Sequence, residues 1–381
     1  MVQTATRMGF HLITDPSMGG GVERWLINTL HNVPDNVEIS IISTNFSDQR
    51  RLEKEADYLL KFHSVKLDLI ENNLRFFRKS RILSFILDII FIPFLVLLFS
   101  PFYKIKLNKE SLDVVYLTKN QYWRLFKGEK MIGSSHTEFH DQGLVSMMKA
   151  RLYAAGLIYR GIGAFHVYPG RDSLSGILGR KATILKLPNG SPEIVCNAPS
   201  NQGNVKFLYV GRLETIKGIE VLIQGWKMSG ISGSASLKIV GTGSYKPLDL
   251  APYGIQFMGK LSDEDLKREY CNADIFIYPT LWDSFPYTVL EAMSAGCFVI
   301  SGRVIRSSFI DAEKERIMKF IKSTPEEVSL SLKTAMESVD SLRIEKSRRI
   351  EFFRNNYNSE SVNEKFFKFV DSFYLGHVEK K

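Results

Sequence analysis

Short apolar runs recur along the first half of the chain, and helical patterns separate several of them. They predict strands at residues 9–14, 37–44, 112–118, 130–136 and 164–169. The first run, GFHLIT, is followed by DPSMGGGVERW, in which a helical pattern begins near Val22. Strands that alternate with helices form parallel sheets covered by helices on both faces. This half of the sequence therefore predicts an α/β domain.

The same alternation restarts after a polar stretch, NAPSNQGN, at residues 197–204. Further strands are predicted at residues 205–211, 237–243, 255–259, 274–279 and 297–301. The pattern predicts an N-terminal α/β domain at 1–196 and a C-terminal α/β domain at 205–345. Residues 346–381 are predicted to be helices that pack back toward the N-terminal domain.

The segment ILSFILDIIFIPFLVLLFSPFY, at residues 82–103, is nearly all apolar. It approaches the roughly 20 residues that span a bilayer, but one span would place strands of a single sheet on opposite sides of the membrane. Apolar sequence with basic flanks favours an element at the membrane interface, held by insertion and by anionic lipid. The alternative is a helix buried on all sides, which explains the apolar character but not the flanks. The flanking basic residues are Arg75, Arg78, Lys79, Arg81, Lys104, Lys106 and Lys109.

Composition narrows the class of partner. The chain has 381 residues and a formal net charge of +9, which suits nucleic acid, an anionic membrane surface or a phosphate-bearing substrate. The basic residues cluster beside the apolar segment and are not interleaved with a base-stacking motif, which disfavours nucleic acid. An anionic membrane and a phosphate-bearing ligand remain.

Cysteine usage and the N-terminus bear on the compartment. The cysteines, Cys196, Cys271 and Cys297, are far apart and lack CxxC spacing. We therefore predict neither a disulfide nor a zinc site, as expected in a reducing compartment. The N-terminus, MVQTATRMGFHLIT, lacks a basic-then-apolar secretory signal, which favours the cytoplasm.

Ligands of open α/β sheets bind beyond the carboxyl ends of strands, and two strand ends carry suitable residues. Glycines at 19–21 lie between a predicted strand and a helix, where a ligand can approach the backbone and an anion can meet helix N–H groups. Arg212 and Lys217 follow the strand at 205–211 and could bind a diphosphate, Arg as a fork and Lys as a point charge. Two solvated loop cations are an equally good alternative.

A third strand end, PTLWDSFPYTVLEAMSAG at residues 279–296, contains Asp283 and Glu291. Both acids could simply stabilise a helix N-terminus. The alternative is hydroxyl recognition, because one carboxylate accepts two hydrogen bonds from a vicinal diol. Two carboxylates and a cation pair together indicate a ligand with hydroxyls at its ends and a diphosphate between them, which describes a nucleotide sugar.

The order of these pieces resembles the retaining glycosyltransferases of family GT4. That family has the GT-B fold, in which two Rossmann-like domains face each other across a cleft. The resemblance covers nearly the whole chain, and it is carried by GGGVERW, SSHTEFH, LPNGSPE, YVGRLETIKG, IVGTG, CNADIFIYPT and DSFPYTVLEAMSAG.

The resemblance implies roles for single residues in the second domain. Glu291 matches the acid that binds the nucleotide ribose, and Arg212 with Lys217 matches the diphosphate-binding pair. Asp283 matches the acid near the hydroxyls of the donor sugar, where the family usually has Glu. Backbone contacts to the donor would come from Ser284 or Phe285, since the proline that follows cannot donate an N–H.

In the first domain, Gly20 and Gly21 match the loop beside the phosphates and the acceptor, and His136 matches the histidine near the reacting sugar. His136 and His140 have helical metal-ligand spacing, but no third ligand is suggested. The DED run that follows Ser262 is better interpreted as a helix cap than as a metal motif. We assign no metal and no cofactor, since the family is generally metal-independent.

The implied activity is transfer of a hexosyl group from a nucleoside-diphosphate donor to a hydroxyl acceptor with retention of anomeric configuration. No residue stands out as a covalent nucleophile. The apolar segment suggests a lipid-linked glycan or glycolipid acceptor and a place on the inner face of the cell membrane. The alternatives are a nucleotide-sugar epimerase of similar shape and a membrane-associated scaffold with weakened catalysis.

Overall fold

The computed structural model describes residues 6–12, 21–31, 33–43, 61–64, 112–118, 130–134, 162–169, 182–196, 203–245 and 250–375. The chain forms two compact units: the first is Met1–Leu187 with Val362–Lys381, and the second is Pro188–Ser361. The apolar segment at 82–103 lies outside the described residues. Within the described part of the chain, no helix combines the length and apolar character needed to cross a bilayer.

The first unit contains a seven-stranded sheet in the order β3-β2-β1-β4-β5-β6-β7. Every neighbouring pair is parallel, as the alternation of strands and helices predicts. Helix α1 (Gly21–Leu30) follows the first strand, and α9 (Ser359–Leu375) contributes most of its length to this unit. The strands are β1 (Thr6–Leu12), β2 (Val37–Ser43), β3 (Lys61–Ser64), β4 (Val114–Leu117), β5 (Lys130–Ser134), β6 (Ile162–Val167) and β7 (Thr183–Lys186).

A cluster of aromatic side chains lies in the core of the first unit. The rings of Trp25, from α1, and Tyr116, from β4, stack with centroids 4.7 Å apart. Phe366, from α9, meets Tyr116 edge-on at 5.7 Å. Asn363 fixes the same helix by donating to two carbonyls at the end of α1, at 2.6 and 2.7 Å. The end of the chain therefore completes the core of the unit in which the chain begins.

A buried histidine lies beside this core. His166 Nδ1 is 2.7 Å from the hydroxyl of Tyr116, and His166 Nε2 is 3.1 Å from the carbonyl of Leu187. Because a carbonyl only accepts, the ring donates from Nε2 and accepts the tyrosine proton at Nδ1. Burial lowers the pKa of His166 to about 4, and the bond to the Leu187 carbonyl opposes this only in part. The ring is neutral at physiological pH.

The second unit contains a six-stranded sheet in the order β10-β9-β8-β11-β12-β13, again parallel throughout. Its strands are β8 (Val205–Val210), β9 (Ala235–Val240), β10 (Ile255–Gly259), β11 (Ile275–Tyr278), β12 (Phe298–Gly302) and β13 (Met318–Ile321). Its helices are α2 (Ile219–Ser229), α3 (Asp263–Asn272), α4 (Tyr287–Ser294), α5 (Ile310–Lys314), α6 (Pro325–Glu337), α7 (Val339–Ile344) and α8 (Lys346–Tyr357).

Every strand predicted from the sequence is present, with ends that differ by up to three residues. Three further strands, β3, β7 and β13, were not predicted. All three have four residues and lie, among the described residues, at an edge of their sheet, where a strand pairs on one side only. In β7, for example, no side chain is fully buried.

The prediction of no disulfide is wrong. Cys196 and Cys271 form a disulfide across a sequence separation of 75, and Cys297 is a buried free thiol. Cys271 lies in the last turn of α3, and the fold carries Cys196 to it from the beginning of the second unit. Spacing along the chain contains no signal for a pairing that the fold creates.

The segment Pro188–Cys196, here called the strap, runs along helix α4. At one end, Asn189 Nδ2 donates to the carbonyl of Phe285, just before α4, at 3.2 Å. At the other, Ser294 Oγ, in the last residue of α4, accepts from the backbone N–H of Ile194 at 3.2 Å. The disulfide fixes the strap just beyond this second contact.

Candidate functional site

The site predicted in the second unit is built on two loops that follow neighbouring strands. One loop follows β8 and carries Arg212 and Lys217, and the other follows β11 and carries Asp283. Gly218 lets the loops meet: its φ is +77°, and a Cβ there would lie 2.0 Å from the carbonyl oxygen of Pro279. Only glycine tolerates both conditions. Close approach of the loops is therefore encoded one residue after Lys217.

Lys217 and Asp283 form a partly buried ion pair. Lys217 Nζ is 2.7 Å from Asp283 Oδ2, and it also donates to the carbonyl of Trp282 at 3.2 Å. The lysine side chain is 8% exposed and that of the aspartate 18% exposed. Low exposure makes such a charge pair stronger than one in water. The structure thus brings together Lys217, which is predicted to bind the diphosphate, and Asp283, which is predicted to bind the sugar.

Asp283 has two more donors in addition to Lys217. The hydroxyl of Tyr278 donates to Oδ2 at 2.8 Å, and the backbone N–H of Ser284 donates to Oδ1 at 2.8 Å. Burial, and then the charge of Asp283, raises the pKa of Tyr278 above its usual value, so its hydroxyl keeps its proton. The N–H of Ser284, which was predicted to contact the donor, is therefore hydrogen-bonded to Asp283 in this structure.

Arg212 is placed differently from Lys217. Its side chain is 63% exposed, and its Nη1 is 2.8 Å from Glu214 Oε1. Its backbone carbonyl accepts from the hydroxyl of Tyr209 at 3.1 Å. An exposed ion pair of this kind is weak and easily exchanged, so Arg212 remains available to an anionic ligand. Its diphosphate role stays a prediction.

Phe285 is buried and contributes its ring to a small aromatic cluster. The centroids of Phe285 and Phe309 are 4.5 Å apart. The carbonyl of Phe285 accepts from Asn189, as described for the strap. The side chain of Phe285 therefore supports the loop that holds Asp283, and its predicted backbone contact to a donor stays a prediction.

Glu291 lies in the second turn of α4, where its Oε2 accepts from the hydroxyl of Tyr270 at 2.9 Å. Tyr270 is fully buried near the end of α3. Burial, followed by the charge of Glu291 and this hydrogen bond, raises the pKa of Tyr270 well above its usual value. The hydroxyl therefore remains a donor, and it holds one carboxylate oxygen in place.

Sequence reasoning missed three polar partners in this site, Tyr270, Tyr278 and Asn189. Asn189 and Tyr278 lie inside motifs that carried the resemblance, and Tyr270 directly precedes one, but each side chain faces a predicted site residue only because neighbouring elements pack together. The available signal was the two tyrosines in YCNADIFIYPT, since a buried tyrosine hydroxyl requires a partner.

Two predicted site residues of the first unit, Gly20 and His136, lie outside the described residues. Gly21 begins helix α1 and is exposed. In the second unit, the DED run begins α3 as predicted: Ser262 is the N-cap, and its Oγ accepts from the N–H of Asp265 at 3.1 Å. Among the described residues, no group of three or more His, Cys, Asp or Glu side chains could hold a metal ion.

Comparison with known proteins points to one family. Residues 204–334 match the family described as "Glycosyl transferases group 1". A GDP-mannose-dependent alpha-mannosyltransferase of Corynebacterium glutamicum is 30% identical over 146 residues, 36% of this chain and 31% of the relative. An uncharacterised glycosyltransferase of Methanocaldococcus jannaschii is 34% identical over 105 residues, 26% of this chain and 27% of the relative. The aligned region thus spans about a third or less of these relatives.

Solved structures resemble nearly the whole chain. Anabaena HepE, solved in complex with UDP, has a TM-score of 0.70 at 13% identity and covers 96% of this chain and 100% of its own. The sucrose-phosphate synthase of Thermosynechococcus elongatus also has a TM-score of 0.70, at 13% identity, over 97% of this chain and 100% of its own. These likenesses confirm the predicted GT-B fold class.

Proposed function

Because residues 204–334 match the model of the group 1 glycosyl transferases, we propose that the chain moves a sugar from a nucleoside-diphosphate donor to a hydroxyl acceptor. The observation that carries this proposal is the partly buried pair of Lys217 and Asp283, 2.7 Å apart beyond the carboxyl ends of β8 and β11. A shielded ammonium beside a carboxylate matches a ligand in which a diphosphate adjoins sugar hydroxyls.

The proposed chemistry follows the movement of charge. The bond between the anomeric carbon and the donor phosphate oxygen breaks, which leaves negative charge on the nucleoside diphosphate and oxocarbenium character on the sugar. Lys217 and Arg212 stabilise the departing diphosphate, because cations act strongly when they lie where negative charge develops. The acceptor oxygen bonds to the anomeric carbon on the face that the phosphate leaves, and the phosphate takes the acceptor proton. Configuration is retained.

The donor is proposed to carry a hexosyl group. Two curated relatives support this class by name: the GDP-mannose-dependent enzyme of Corynebacterium glutamicum and the O-antigen chain mannosyltransferase B of Escherichia coli. Glu291 is proposed to accept hydrogen bonds from the ribose, as the resemblance implies, and Tyr270 orients its carboxylate by holding one oxygen. The roles that the resemblance implies for Gly20, Gly21 and His136 remain predictions.

The acceptor is proposed to be a lipid-linked glycan or a glycolipid, reached at the inner face of the cell membrane. The apolar segment at 82–103 and its seven basic neighbours support this proposal. Flotation with anionic liposomes tests it, with a variant whose seven flanking Lys and Arg are neutral as the comparison. We expect salt-sensitive binding of the wild type and weaker binding of the variant. A wild type that remains soluble with every lipid tested removes this proposal.

The activity is tested first with a panel of nucleotide sugars, because a ligand that binds only the folded state raises thermal stability. The stabilising donor is then incubated with glycolipid acceptors, and the anomeric configuration of the product is read by NMR. We expect transfer with retention, unchanged in excess EDTA. Conversion of the donor without any acceptor would identify an epimerase instead. A folded protein that no nucleotide sugar stabilises would contradict the proposal.

A further inference from the structure

Two tyrosines lie beneath the loops of the candidate site. Tyr209 is in β8 and Tyr278 is in β11, two neighbouring strands of the second sheet. Their ring centroids are 5.8 Å apart with planes inclined by 35°, and Tyr278 is 3% exposed. Because hydrogen-bonded strands flank both β8 and β11, the sheet fixes the positions of both rings. The loops above them have no such ladder.

Tyr278 acts on the acid of the ion pair. Its hydroxyl and the ammonium of Lys217 both bind Asp283 Oδ2, at 2.8 and 2.7 Å. Asp283 Oδ2 accepts from both donors. Because Tyr278 is held by the sheet, its hydroxyl fixes the position of this oxygen. Asp283 is shorter than the glutamate usual in the family, so its reach is small and its carboxylate stays between these donors. The position of the ammonium depends on that carboxylate.

Tyr209 acts on the backbone that carries the cations. Its hydroxyl donates to the carbonyl of Arg212 at 3.1 Å and lies 3.5 Å from the carbonyl of Lys217. These carbonyls lie on either side of the turn that leads from β8 to α2. One buried hydroxyl therefore links the two ends of the loop that supplies both cations.

We propose that Tyr209 and Tyr278 are positioning residues for the transfer reaction: from the rigid sheet they fix the ammonium of Lys217 where the diphosphate binds. The inference rests on the proposed function, because it concerns the same diphosphate. Neither tyrosine touches the donor in this proposal. Both hydroxyls stay protonated, since burial raises the pKa of each tyrosine above its usual value.

A purely structural role for these hydroxyls makes a different prediction. If they only stabilise the second unit, their loss lowers thermal stability and affects ligand binding equally whether or not Lys217 is present. If they position Lys217, their effect on a diphosphate disappears once the lysine is removed. Residues that act through one group are non-additive, and a double-mutant cycle measures this.

The test uses the full chain and measures dissociation constants for UDP, GDP, ADP and dTDP by calorimetry. The variants are Tyr278→Phe, Tyr209→Phe and Lys217→Ala, with each tyrosine change also made in the Lys217→Ala background. Tyr253→Phe is the matched control, because Tyr253 is 43% exposed and lies away from both loops, with Lys227 over its ring. Having two tyrosines keeps the test decisive if one variant does not fold.

We expect each tyrosine change to weaken binding of the nucleoside diphosphate about 5–20-fold, as loss of a hydrogen bond to a charged or buried group does. In the Lys217→Ala background we expect less than about a two-fold effect, because the hydroxyls act through the lysine. Independent sites would instead show the same effect in both backgrounds. Equal weakening in both backgrounds, or none in either, overturns the inference while the proposed function stands. A wild type that binds none of the four nucleotides overturns the proposed function and this inference with it.

Discussion

The hydroxyl of Tyr270 donates a 2.9 Å hydrogen bond to Glu291, which connects the end of α3 to the second turn of α4. This bond leads to a prediction for donor affinity. Glu291→Gln keeps the size of the side chain but loses its charge, and Tyr270→Phe removes the hydroxyl that donates the hydrogen bond. We expect donor affinity to fall about 10-fold or more for Glu291→Gln, because hydrogen bonds to charged groups are the stronger ones.

Titration calorimetry with the stabilising nucleotide measures this loss. Tyr270→Phe should give a smaller loss in the same direction, since the carboxylate remains but is less well oriented. Glu264→Gln is the control, because that glutamate is exposed in the first turn of α3. If the folded fraction of Glu291→Gln binds the nucleotide as tightly as the wild type, the ribose role of Glu291 is lost.

Removal of either cation of the candidate site is expected to reduce turnover similarly, but only removal of Lys217 should clearly lower the stability of the protein. Lys217→Ala and Arg212→Ala should each reduce turnover around 10²–10³-fold, as loss of a group that stabilises developing charge does. Lys217→Ala should also lower the free energy of unfolding by about 1–3 kcal/mol, because it removes a buried donor from Asp283. The exposed Arg212–Glu214 pair contributes at most about 1 kcal/mol.

Steady-state kinetics and urea unfolding on the same preparations separate the two effects. Arg268→Ala provides the comparison, since Arg268 forms an exposed pair with Asp265 on the surface of α3. Near-normal turnover of the doubly substituted Arg212→Ala, Lys217→Ala protein would exclude diphosphate binding by this pair.

The cysteines provide a test of the fold in the second unit. Denatured, unreduced protein should show one reactive thiol, from Cys297, and the reduced protein should show three. In the folded protein even that thiol should be unreactive, because burial raises the pKa of Cys297 to about 12. Thiol titration with and without denaturant measures both states.

Cys271→Ser should lower the free energy of unfolding by about 4 kcal/mol under oxidising conditions, from the length of the loop that the disulfide closes. The same change should have little effect in reducing buffer, which is its internal control. Three reactive thiols in denatured, unreduced protein would show that the bond does not form.

His166 predicts a pH dependence for the first unit. Burial depresses its folded pKa to about 4, below the ordinary value of 6.5. Between these values the unfolded chain binds the proton and the folded chain does not, so stability rises with pH through this window. Acidification from pH 6.5 to 4 should cost about 3 kcal/mol from this group alone.

Urea unfolding followed by tryptophan fluorescence measures this slope, since Trp25 lies 6.0 Å from His166 between ring centroids. His166→Gln should flatten it, although the variant will be less stable at every pH. His31→Gln is the control at a less buried histidine. An unchanged slope in His166→Gln would assign the pH dependence to other groups.

The central strands and the loops of the site could be predicted from the sequence because local patterns specify them. Strands β1, β4, β8 and β11 are buried runs, and the glycine after Lys217 marks the close approach of two loops. The edge strands β3, β7 and β13 were not predicted: each is only four residues long and, among the described residues, pairs with a neighbour on one side alone.

The partners of the site residues required the fold itself. Tyr270 meets Glu291 only because α3 packs beside α4, and the disulfide closes a loop whose ends carry no common pattern. The ion pair between Lys217 and Asp283 was not foreseen either, since each residue was assigned a separate part of the ligand. Packing between elements distant in sequence, rather than any local signal, creates these contacts.

The contacts of the strap bear on where a recombinant fragment of the second unit should begin and end. The strap contacts more than α4. Within it, the N–H of Ser191 donates to the carbonyl of Tyr357 at 2.9 Å, and the carbonyl of Ser191 accepts from the N–H of Ser359 at 3.0 Å. A recombinant piece limited to the family match at 204–334 would keep α4 but lose the strap and the segment at Tyr357 and Ser359 that binds Ser191. A fragment spanning 188–361 keeps both, together with the disulfide, and is the form to express for nucleotide soaking.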